Sequence, residues 1–267
     1  MLQQTQVERV VPLFGRFTER FVDFAALAAA SQAEVVRAWQ GLGYNSRAVR
    51  LHRLARAVCE RHGGILPREE NQLRALPGVG SYTARAIRAF AFGEDVLATD
   101  VNLRRVLHRT QLGLEWPQRA TDPELEALGV ALLPPGGGFA FNSALMDLGA
   151  TLCTARAPKC MLCPLRAQCA AAPVDAALLA RLAAAHAPAR GPQGKLPFEE
   201  TTRFVRGRVI DRLRELAPHE RISLLDLHGA LAPQLRRHDA HTFAAVVRAL
   251  AREGVIEEGE CGLRLAP

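Results

Sequence analysis

Four cysteines that lie close together in the chain are its clearest candidates for metal chemistry. Cys153, Cys160, Cys163 and Cys169 follow the spacing C-x6-C-x2-C-x5-C. Four thiolates on one short loop can hold a tetrahedral zinc ion or a four-iron cluster. The loop contains prolines and lacks apolar periodicity, so four unrelated core cysteines are a poor explanation. Many four-cysteine zinc sites are built from two Cys-x2-Cys pairs, and this loop has one such pair. The spacing alone therefore does not decide between zinc and iron.

A second candidate for chemistry is the carboxylate of Asp100, which stands just before an amphipathic run that begins at Val101. Such an aspartate is first of all a good N-cap, because it accepts hydrogen bonds from the free N–H groups of the first turn. The positive end of the helix dipole also keeps the carboxylate ionised. From the residues alone, capping is the stronger interpretation, and an electrostatic role in catalysis stays open.

A glycine-containing segment, Leu76-Pro77-Gly78-Val79-Gly80, joins two helical patterns. Its two glycines allow backbone N–H groups to approach a phosphate at the start of the helix that opens at Ser81. A plain helix–helix turn explains the segment equally well when it is taken alone.

The composition is that of a globular protein. The 267 residues are 49% hydrophobic and 23% charged, with a mean hydropathy of +0.00, which excludes a disordered or collagen-like chain. No run of about 18 apolar residues is present and no signal-peptide pattern opens the sequence, so we expect a cytoplasmic protein with no membrane partner. The net charge of +7 fits a polyanionic partner. Lysine occurs only at Lys159 and Lys195, so nearly all of the basic charge is arginine.

Apolar residues recur with helical spacing from Gln6 to Ala150, which predicts that the first two thirds of the chain are nearly all α-helix. Ser31 and Glu34 form the pattern of a capping box, and Asn45 is placed to cap the next helix, which His62-Gly63-Gly64 should end. Further helices are predicted over residues 69–75, 81–92, 101–111, 122–133 and 139–149.

The last third of the chain changes character. Residues 173–197 are Ala-rich and then broken by prolines and glycines, which is typical of a linker. Three helical patterns and a short strand pair follow, and they predict a winged-helix-like module over residues 198–267. Its basic and acidic residues are nearly equal in number, so a strong DNA clamp is not indicated.

The cysteine spacing resembles the iron–sulfur loop of the endonuclease III superfamily of DNA glycosylases. Gly78-Val79-Gly80, followed by Tyr82-Thr83-Ala84, resembles the helix-hairpin-helix of the same superfamily. The resemblance implies an all-α, two-lobed glycosylase core over residues 1–172, with the cluster loop at 153–169. It implies a 4Fe-4S cluster on the four cysteines that is not the catalyst but pins a loop whose basic residues face DNA phosphates.

Bifunctional members of the superfamily carry a lysine where this chain has Tyr82, so lyase chemistry by an imine at that position should be absent. Two stretches, Met1-Leu-Gln-Gln-Thr-Gln-Val7 and Gly41-Leu42-Gly43-Tyr44, resemble the MutY-type adenine glycosylases in particular. That family removes adenine mispaired with guanine or 8-oxoguanine from double-stranded DNA. A monomer bound to the bacterial nucleoid is the expected working form.

The resemblance also implies roles for single residues. Asp100 would stabilise the sugar cation, Asn102 would orient that carboxylate and Tyr82 would assist. The hairpin residues Gly78, Val79 and Gly80 would bind phosphates. Residues at the mismatch would unstack the bases, since a base inside a duplex must leave the stack before its glycosidic bond can be reached; these are Gln3, Gln4, Thr5, Leu42 and Tyr44. For Leu42 and Tyr44, core packing at a helix end is the alternative.

The sequence departs from the MutY pattern at both ends. Family members have a glutamate two positions before the residue equivalent to Met1, in S-E-V-M-L-Q-Q-T, and it protonates adenine N7. The sequence given starts after it, so we expect either a longer natural chain or a form with little base excision. Residues 198–267 replace the Nudix-like domain that inspects 8-oxoguanine in many members. The alternative functions are a mismatch thymine or uracil glycosylase and a non-catalytic DNA-lesion-binding protein.

These expectations predict that the chain as given binds an A·G or A·8-oxoguanine duplex but releases adenine slowly. Without a proton donor, adenine is a poor leaving group, and a general acid contributes roughly 10²- to 10⁴-fold. Placing Ser-Glu-Val before Met1 should restore fast release in a single-turnover assay. Equally fast release with and without the extension would contradict this interpretation.

Overall fold

The computed structural model describes residues 1–3, 5–116, 119–186, 196–235, 238–259 and 261–267. Its described residues form α-helices and one small antiparallel sheet. The chain divides into two compact units, which are described separately below. The first unit contains residues 1–66, 76–78 and 193–267, and the second contains residues 67–75 and 79–192.

The helices and strands are, in chain order, α1 (Val7–Arg20), α2 (Phe24–Ala29), α3 (Gln32–Ala38), α4 (Ser46–His62), α5 (Glu70–Arg74), α6 (Ser81–Ala86), α7 (Val101–Gln111), α8 (Asp122–Leu132), α9 (Gly138–Thr151), α10 (Ala176–Ala185), α11 (Thr202–Arg214), α12 (Leu224–Leu231), α13 (Ala240–Arg252), β1 (Ile256–Gly259) and β2 (Gly262–Leu265). The two strands pair antiparallel, with Ile256 opposite Leu265. A wider π-helical turn, Ile87–Ala91, continues α6, so the helix predicted over 81–92 changes its geometry halfway.

Local signals in the first unit place several helix ends where the sequence predicts them. The capping box before α3 is present: Ser31 Oγ accepts a bond from Glu34 N–H, and the Glu34 carboxylate accepts one from Ser31 N–H. Helix α4 ends before Gly63, whose φ of +60° is the left-handed conformation that glycine adopts without strain. The three C-terminal helices and the hairpin also appear in the predicted order.

The predicted cap of α4 is wrong. The backbone of Asn45 is helical, with φ −58° and ψ −21°, and its side chain makes no capping bond. A capping residue needs an extended backbone for its side chain to reach the first turn. The Asn45 Oδ1 instead accepts a bond of 2.7 Å from Arg214 of α11. A charged partner from a distant part of the chain thus replaces the local interaction.

One apolar cluster joins the N-terminal and C-terminal parts of the first unit. Phe17 of α1 packs edge-on against Trp39, with ring centroids 5.7 Å apart. Val205 of α11 and Phe243 of α13 are buried in the same cluster. The buried side chain of Gln32 adds a hydrogen bond between the same two parts of the unit, because its Nε2 donates to the carbonyl of Gly254 at 2.6 Å. Residues 198–267 therefore bury their apolar faces against the first helices of the chain.

The second unit has its own core, formed mainly by α7, α8 and α9. Buried leucines of α7 pack with Leu125 of α8 and Leu145 of α9. Gly129 of α8 permits a close approach, since a Cβ there would lie 2.4 Å from a methyl carbon of Leu97. Helices α7 and α9 meet equally closely at Gly149, where a Cβ would lie 2.7 Å from the Cβ of Asn102. This contact sets the start of α7 against α9.

The division into a core, a linker and a module stays a prediction. Within the predicted linker, residues Ala176–Ala185 form α10, and Leu179 is buried. Residues 187–195 of that stretch lie outside the described residues. Among the helices that the structure describes, none combines the length and apolar character needed to cross a bilayer.

Candidate active site and nucleic-acid interface

Asp100 of the second unit is held by three hydrogen bonds. Its Oδ1 accepts the backbone N–H groups of Asn102 and Leu103, both at 2.8 Å, so the predicted N-cap of α7 is confirmed. Its Oδ2 accepts the side-chain Nδ2 of Asn102 at 3.0 Å. All three donors lie at the start of α7, in Asn102 and Leu103. The arrangement fixes a negative charge in one orientation.

The segment that leads into Asp100 is fixed by a fully buried asparagine. Asn142 of α9 accepts a bond from Ala98 N–H at 2.8 Å and donates to the carbonyl of Val96 at 2.9 Å. Two bonds to an extended segment hold it as a neighbouring strand would. Asn142 was not predicted as a site residue, and its position on an apolar helix face is the signal that could have identified it.

A further chain of contacts joins the carboxylate to the cysteine loop. Asn102 Oδ1 accepts a bond of 2.8 Å from Arg105, whose Nη2 also donates to Gly149 O at 2.7 Å. The Nε of Arg105 donates to the carbonyl of Cys153 at 2.7 Å. The orientation of Asn102, and through it that of Asp100, therefore depends on the backbone at the first cysteine.

Tyr82 lies in the first turn of α6 and is 38% exposed. Burial raises the pKa of its phenol, and the negative charge of Asp100 raises it further. The phenol therefore stays protonated at neutral pH and can donate a hydrogen bond. The charge of Asp100 therefore acts on the Tyr82 phenol within the second unit.

The predicted phosphate hairpin contributes backbone rather than side chains. Gly78 has φ +80°, and a Cβ there would lie 3.0 Å from the Cβ of Arg50, within the first unit. Val79 is 8% exposed, so its side chain is not available to a ligand. Gly80 directly precedes α6, and a Cβ added at this position would meet no atom beyond its chain neighbours within 4 Å. Only glycine fits at Gly78 without strain.

The loop before α4 carries an exposed and strained tyrosine. Gly41 and Gly43 have φ of +90° and +68°, and Tyr44 follows with φ +46°. A non-glycine residue in this region costs of the order of 1–3 kcal/mol and marks a functional site more often than chance. The ring of Tyr44 is 41% exposed, whereas Leu42 is only 2% exposed and packs in the core. The structure thus favours core packing for Leu42, and it leaves the Tyr44 ring accessible.

Arg47 organises the residues around this loop, and sequence reasoning missed it. Its guanidinium donates to the carbonyls of Met1 at 2.8 Å and Leu42 at 3.0 Å, and to that of Gln3. It also donates to Thr5 Oγ1 at 2.7 Å. Gln4 lies outside the described residues. The signal that could have found Arg47 is its position one turn after a loop with two glycines.

The four cysteines line one pocket of the second unit together with Arg109. Arg109 donates to Cys153 Sγ at 3.7 Å, and Cys169 Sγ donates to the carbonyl of Arg109 at 3.3 Å. Burial raises the pKa of the Cys153 thiol, and the charge of Arg109 opposes that rise. Across the described part of the chain, no three His, Cys, Asp or Glu side chains are grouped so as to hold one metal ion.

Comparisons with known proteins agree with this fold. Residues 1–130 match the family described as HhH-GPD superfamily base excision DNA repair protein. A thermostable thymine-DNA glycosylase superposes with a TM-score of 0.58 at 32% identity, over 63% of this chain and 78% of that one. Endonuclease III in a non-covalent DNA complex gives 0.55 at 24% identity, over 63% and 78%, and supports the fold alone. The predicted helix-hairpin-helix glycosylase fold is confirmed.

Sequence relatives define the family more narrowly. The adenine DNA glycosylase of Mycolicibacterium smegmatis is 41% identical over 218 residues, which cover 80% of this chain and 69% of that one. That of Mycobacterium tuberculosis is 41% identical over 216 residues, covering 80% and 67%. The human protein of the same name is 42% identical over 173 residues, covering 64% of this chain and 32% of that one. The chain belongs to the adenine DNA glycosylase family.

The contacts of Arg47 predict the effect of a conservative substitution. Arg47→Lys keeps the charge but cannot donate to the same spread of acceptors, because an ammonium lacks the planar fork. We expect a loss of about 1–3 kcal/mol in the free energy of unfolding, measured by urea denaturation. Arg50→Lys, an exposed position on the same helix, is the control and should change it by less than about 0.5 kcal/mol. Equal stability of the two variants would contradict the organising role of Arg47.

Proposed function

We propose that this protein is a monofunctional adenine DNA glycosylase that hydrolyses the N-glycosidic bond of adenine mispaired with guanine or 8-oxoguanine in double-stranded DNA. One observation carries the proposal. The Asp100 carboxylate is held by three donors beside the protonated phenol of Tyr82, in a chain of the adenine DNA glycosylase family.

The chemistry follows from the position of that charge. As the bond between the sugar C1′ and adenine N9 breaks, the electron pair leaves with the base and positive charge develops on the sugar. A fixed carboxylate stabilises that charge without having to reorganise, which is the largest single contribution in many enzymes. Water then adds to C1′ and gives up a proton, the departing adenine takes up one proton in balance, and neutral adenine and an abasic site remain. Because position 82 is tyrosine, no lysine is there to form an imine with the sugar.

Asn102 and Arg105 act as positioning residues in this proposal. Asn102 uses its amide N–H to hold Asp100 and its amide oxygen to accept from Arg105. Arg105 is itself fixed by two backbone carbonyls. These bonds keep the Asp100 carboxylate from rotating away from Asn102. A preorganised charge needs such support, since small displacements weaken catalysis strongly.

The first unit would supply the contacts that open the duplex. The exposed ring of Tyr44 is suited to fill the gap that an extruded base leaves. Gln3 and Thr5 are held near this loop by Arg47, and Gln4 completes the segment in sequence. Backbone N–H groups at Gly78, Val79 and Gly80 would contact phosphates. Leu42 contributes by packing rather than by touching a base.

The four cysteines fit a 4Fe-4S cluster better than a single zinc ion. Each thiolate of a four-iron cluster binds a different iron atom, so the sulfurs line a pocket rather than meet at one point. The common pocket of Cys153, Cys160, Cys163 and Cys169 agrees with this. Such a cluster supplies cross-linking of the loop rather than a catalytic step.

The loop around the cysteines presents three exposed basic side chains, Arg156, Lys159 and Arg166. None of them has a carboxylate partner in the described part of the chain. Unpaired cations on a fixed loop suit the sequence-independent binding of DNA phosphates. The alternative of a thymine or uracil glycosylase is not favoured, because the sequence relatives with 80% coverage are adenine glycosylases.

Single-turnover base release from defined duplexes tests the proposal. With Ser-Glu-Val placed before Met1, we expect adenine from A·G and A·8-oxoguanine duplexes and no thymine from G·T. Asp100→Asn should slow adenine release about 100-fold or more while DNA binding is kept, because the charge is lost and the shape is not. Glu19→Gln, which removes an exposed carboxylate of α1, is the control and should release adenine at the parental rate. Thymine release, or an unchanged rate in Asp100→Asn, would refute the assignment.

The cluster is tested separately by metal analysis of protein purified without air. We expect about four irons per chain and a broad visible absorption, because Cys₄ sites of this kind bind iron–sulfur clusters. Cys163→Ser should lower the iron content and the Tm together, whereas Cys261→Ser, which removes an exposed thiol of the hairpin, should change neither. Stoichiometric zinc without iron would overturn the cluster proposal.

A further inference from the structure

The C-terminal part of the chain contacts the exposed tyrosine of the reading loop, which we define as residues Gly41–Asn45. Arg203, in the first turn of α11, places its guanidinium carbon 4.3 Å from the centroid of the Tyr44 ring. That distance is well within the range of a cation–π interaction. Both residues belong to the first unit. A part of the molecule with no predicted role in DNA binding therefore touches the residue best suited to enter the duplex.

The position of α11 against the reading loop is fixed by reciprocal arginine contacts. Arg214 is 8% exposed and donates to Val36 O at 3.0 Å and to Asn45 Oδ1 at 2.7 Å. In return, Arg37 of α3 donates to the carbonyl of Leu216 at 3.0 Å. A largely buried guanidinium that donates to acceptors in two segments holds those segments and its own helix in one geometry. Arg203 is thus presented to Tyr44 by a rigid helix rather than by a loop.

Apart from its stacking on Tyr44, Arg203 makes no ion pair among the described residues. It is exposed, and it has no carboxylate partner among the described residues. It also lies in the first turn of α11, where the helix dipole disfavours a positive charge. Neighbouring arginines of the same helix are paired, such as Arg206 with Glu253 at 2.6 Å. An unpaired cation in an unfavourable position is available for an anion from outside the chain.

We propose that Arg203 is a DNA-contacting residue that binds a backbone phosphate beside the base step that Tyr44 enters, and that its stacking holds the Tyr44 ring ready for insertion. The proposal rests on the proposed DNA glycosylase function. A guanidinium stacked on a ring keeps its N–H groups free at the edge, where they match phosphate oxygens. Tyr44 already has its backbone in a strained conformation, and a stacked cation restricts the remaining freedom of its side chain.

Binding measurements with three variants test the phosphate contact. Fluorescence anisotropy gives the Kd for an A·G duplex and for its fully paired counterpart at several salt concentrations. We expect Arg203→Ala to weaken mismatch binding about threefold to tenfold and to reduce the slope of log K against log salt by about 0.9. Arg203→Lys should keep the slope but not the full affinity, because it retains the charge without the planar stack. Arg248→Ala is the matched control, an exposed and unpaired arginine of α13 in the described structure.

The positioning of Tyr44 has a spectroscopic signature of its own. The chain contains two tyrosines, Tyr44 and Tyr82, so incorporation of 3-fluorotyrosine gives two ¹⁹F resonances. Tyr82→Phe assigns them. We expect Arg203→Ala to shift and broaden the Tyr44 resonance and to leave that of Tyr82 unchanged. In binding, Arg203→Ala and Tyr44→Ala should be less than additive when combined, because each removes the same contact.

The outcomes separate the two proposals. If the parent protein does not distinguish the A·G duplex from the paired duplex, the proposed function fails. If it does, and Arg203→Ala matches Arg248→Ala in affinity, salt slope and ¹⁹F spectrum, the role of Arg203 is refuted. A shifted Tyr44 resonance with an unchanged salt slope would overturn the phosphate contact. Thermal denaturation of each variant verifies that the comparison is between folded proteins.

Discussion

The candidate site of the second unit depends on one set of interactions, the hydrogen bonds that hold the Asp100 carboxylate in one direction. Water would solvate that charge equally well but would not orient it. The chain uses two backbone N–H groups and one amide, all from the residues that follow Asp100. Asn142 holds the segment that leads into Asp100, and the helix that supplies the donors lies close against α9 at Gly149. Local capping bonds and long-range packing therefore both determine the position of the Asp100 carboxylate.

The sequence predicts what short-range interactions decide. The bounds of α7, the capping box at Ser31 and the hairpin over 256–265 follow from residues within a few positions of each other. Asn45 shows where such prediction fails. Its side chain could cap α4, but it accepts a hydrogen bond from Arg214, which lies 169 positions away in the chain. Arg47, Asn142 and Arg105 were missed for the same reason. Most of their partners are backbone groups in other segments of the chain, so the sequence gives at most an indirect signal, such as a polar residue on an apolar helix face or an arginine after a glycine loop.

The site residues divide in a similar way. Motifs located Asp100, Tyr82 and the four cysteines; in the structure the charge of Asp100 acts on the Tyr82 phenol, and the four cysteines line one pocket. Leu42 was placed by the same motif as Tyr44, yet one is buried and the other exposed. The motif predicts the loop as a whole, whereas the backbone conformation of this loop, with positive φ at Gly41, Gly43 and Tyr44, determines which side chain faces outward.

The near absence of lysine from the chain agrees with the way in which its arginines are used. All but two of the 34 basic residues are arginine. Arg47, Arg105 and Arg214 each donate to three or more acceptors, several of them carbonyls in different segments. An ammonium group is more strongly hydrated and cannot span such acceptors from one plane. Arginine therefore serves here as a cross-link between loops, and the same planar group at Arg203 is free to stack on a ring and bind a phosphate. One residue type thus connects the stability of the loops to the recognition of a polyanion.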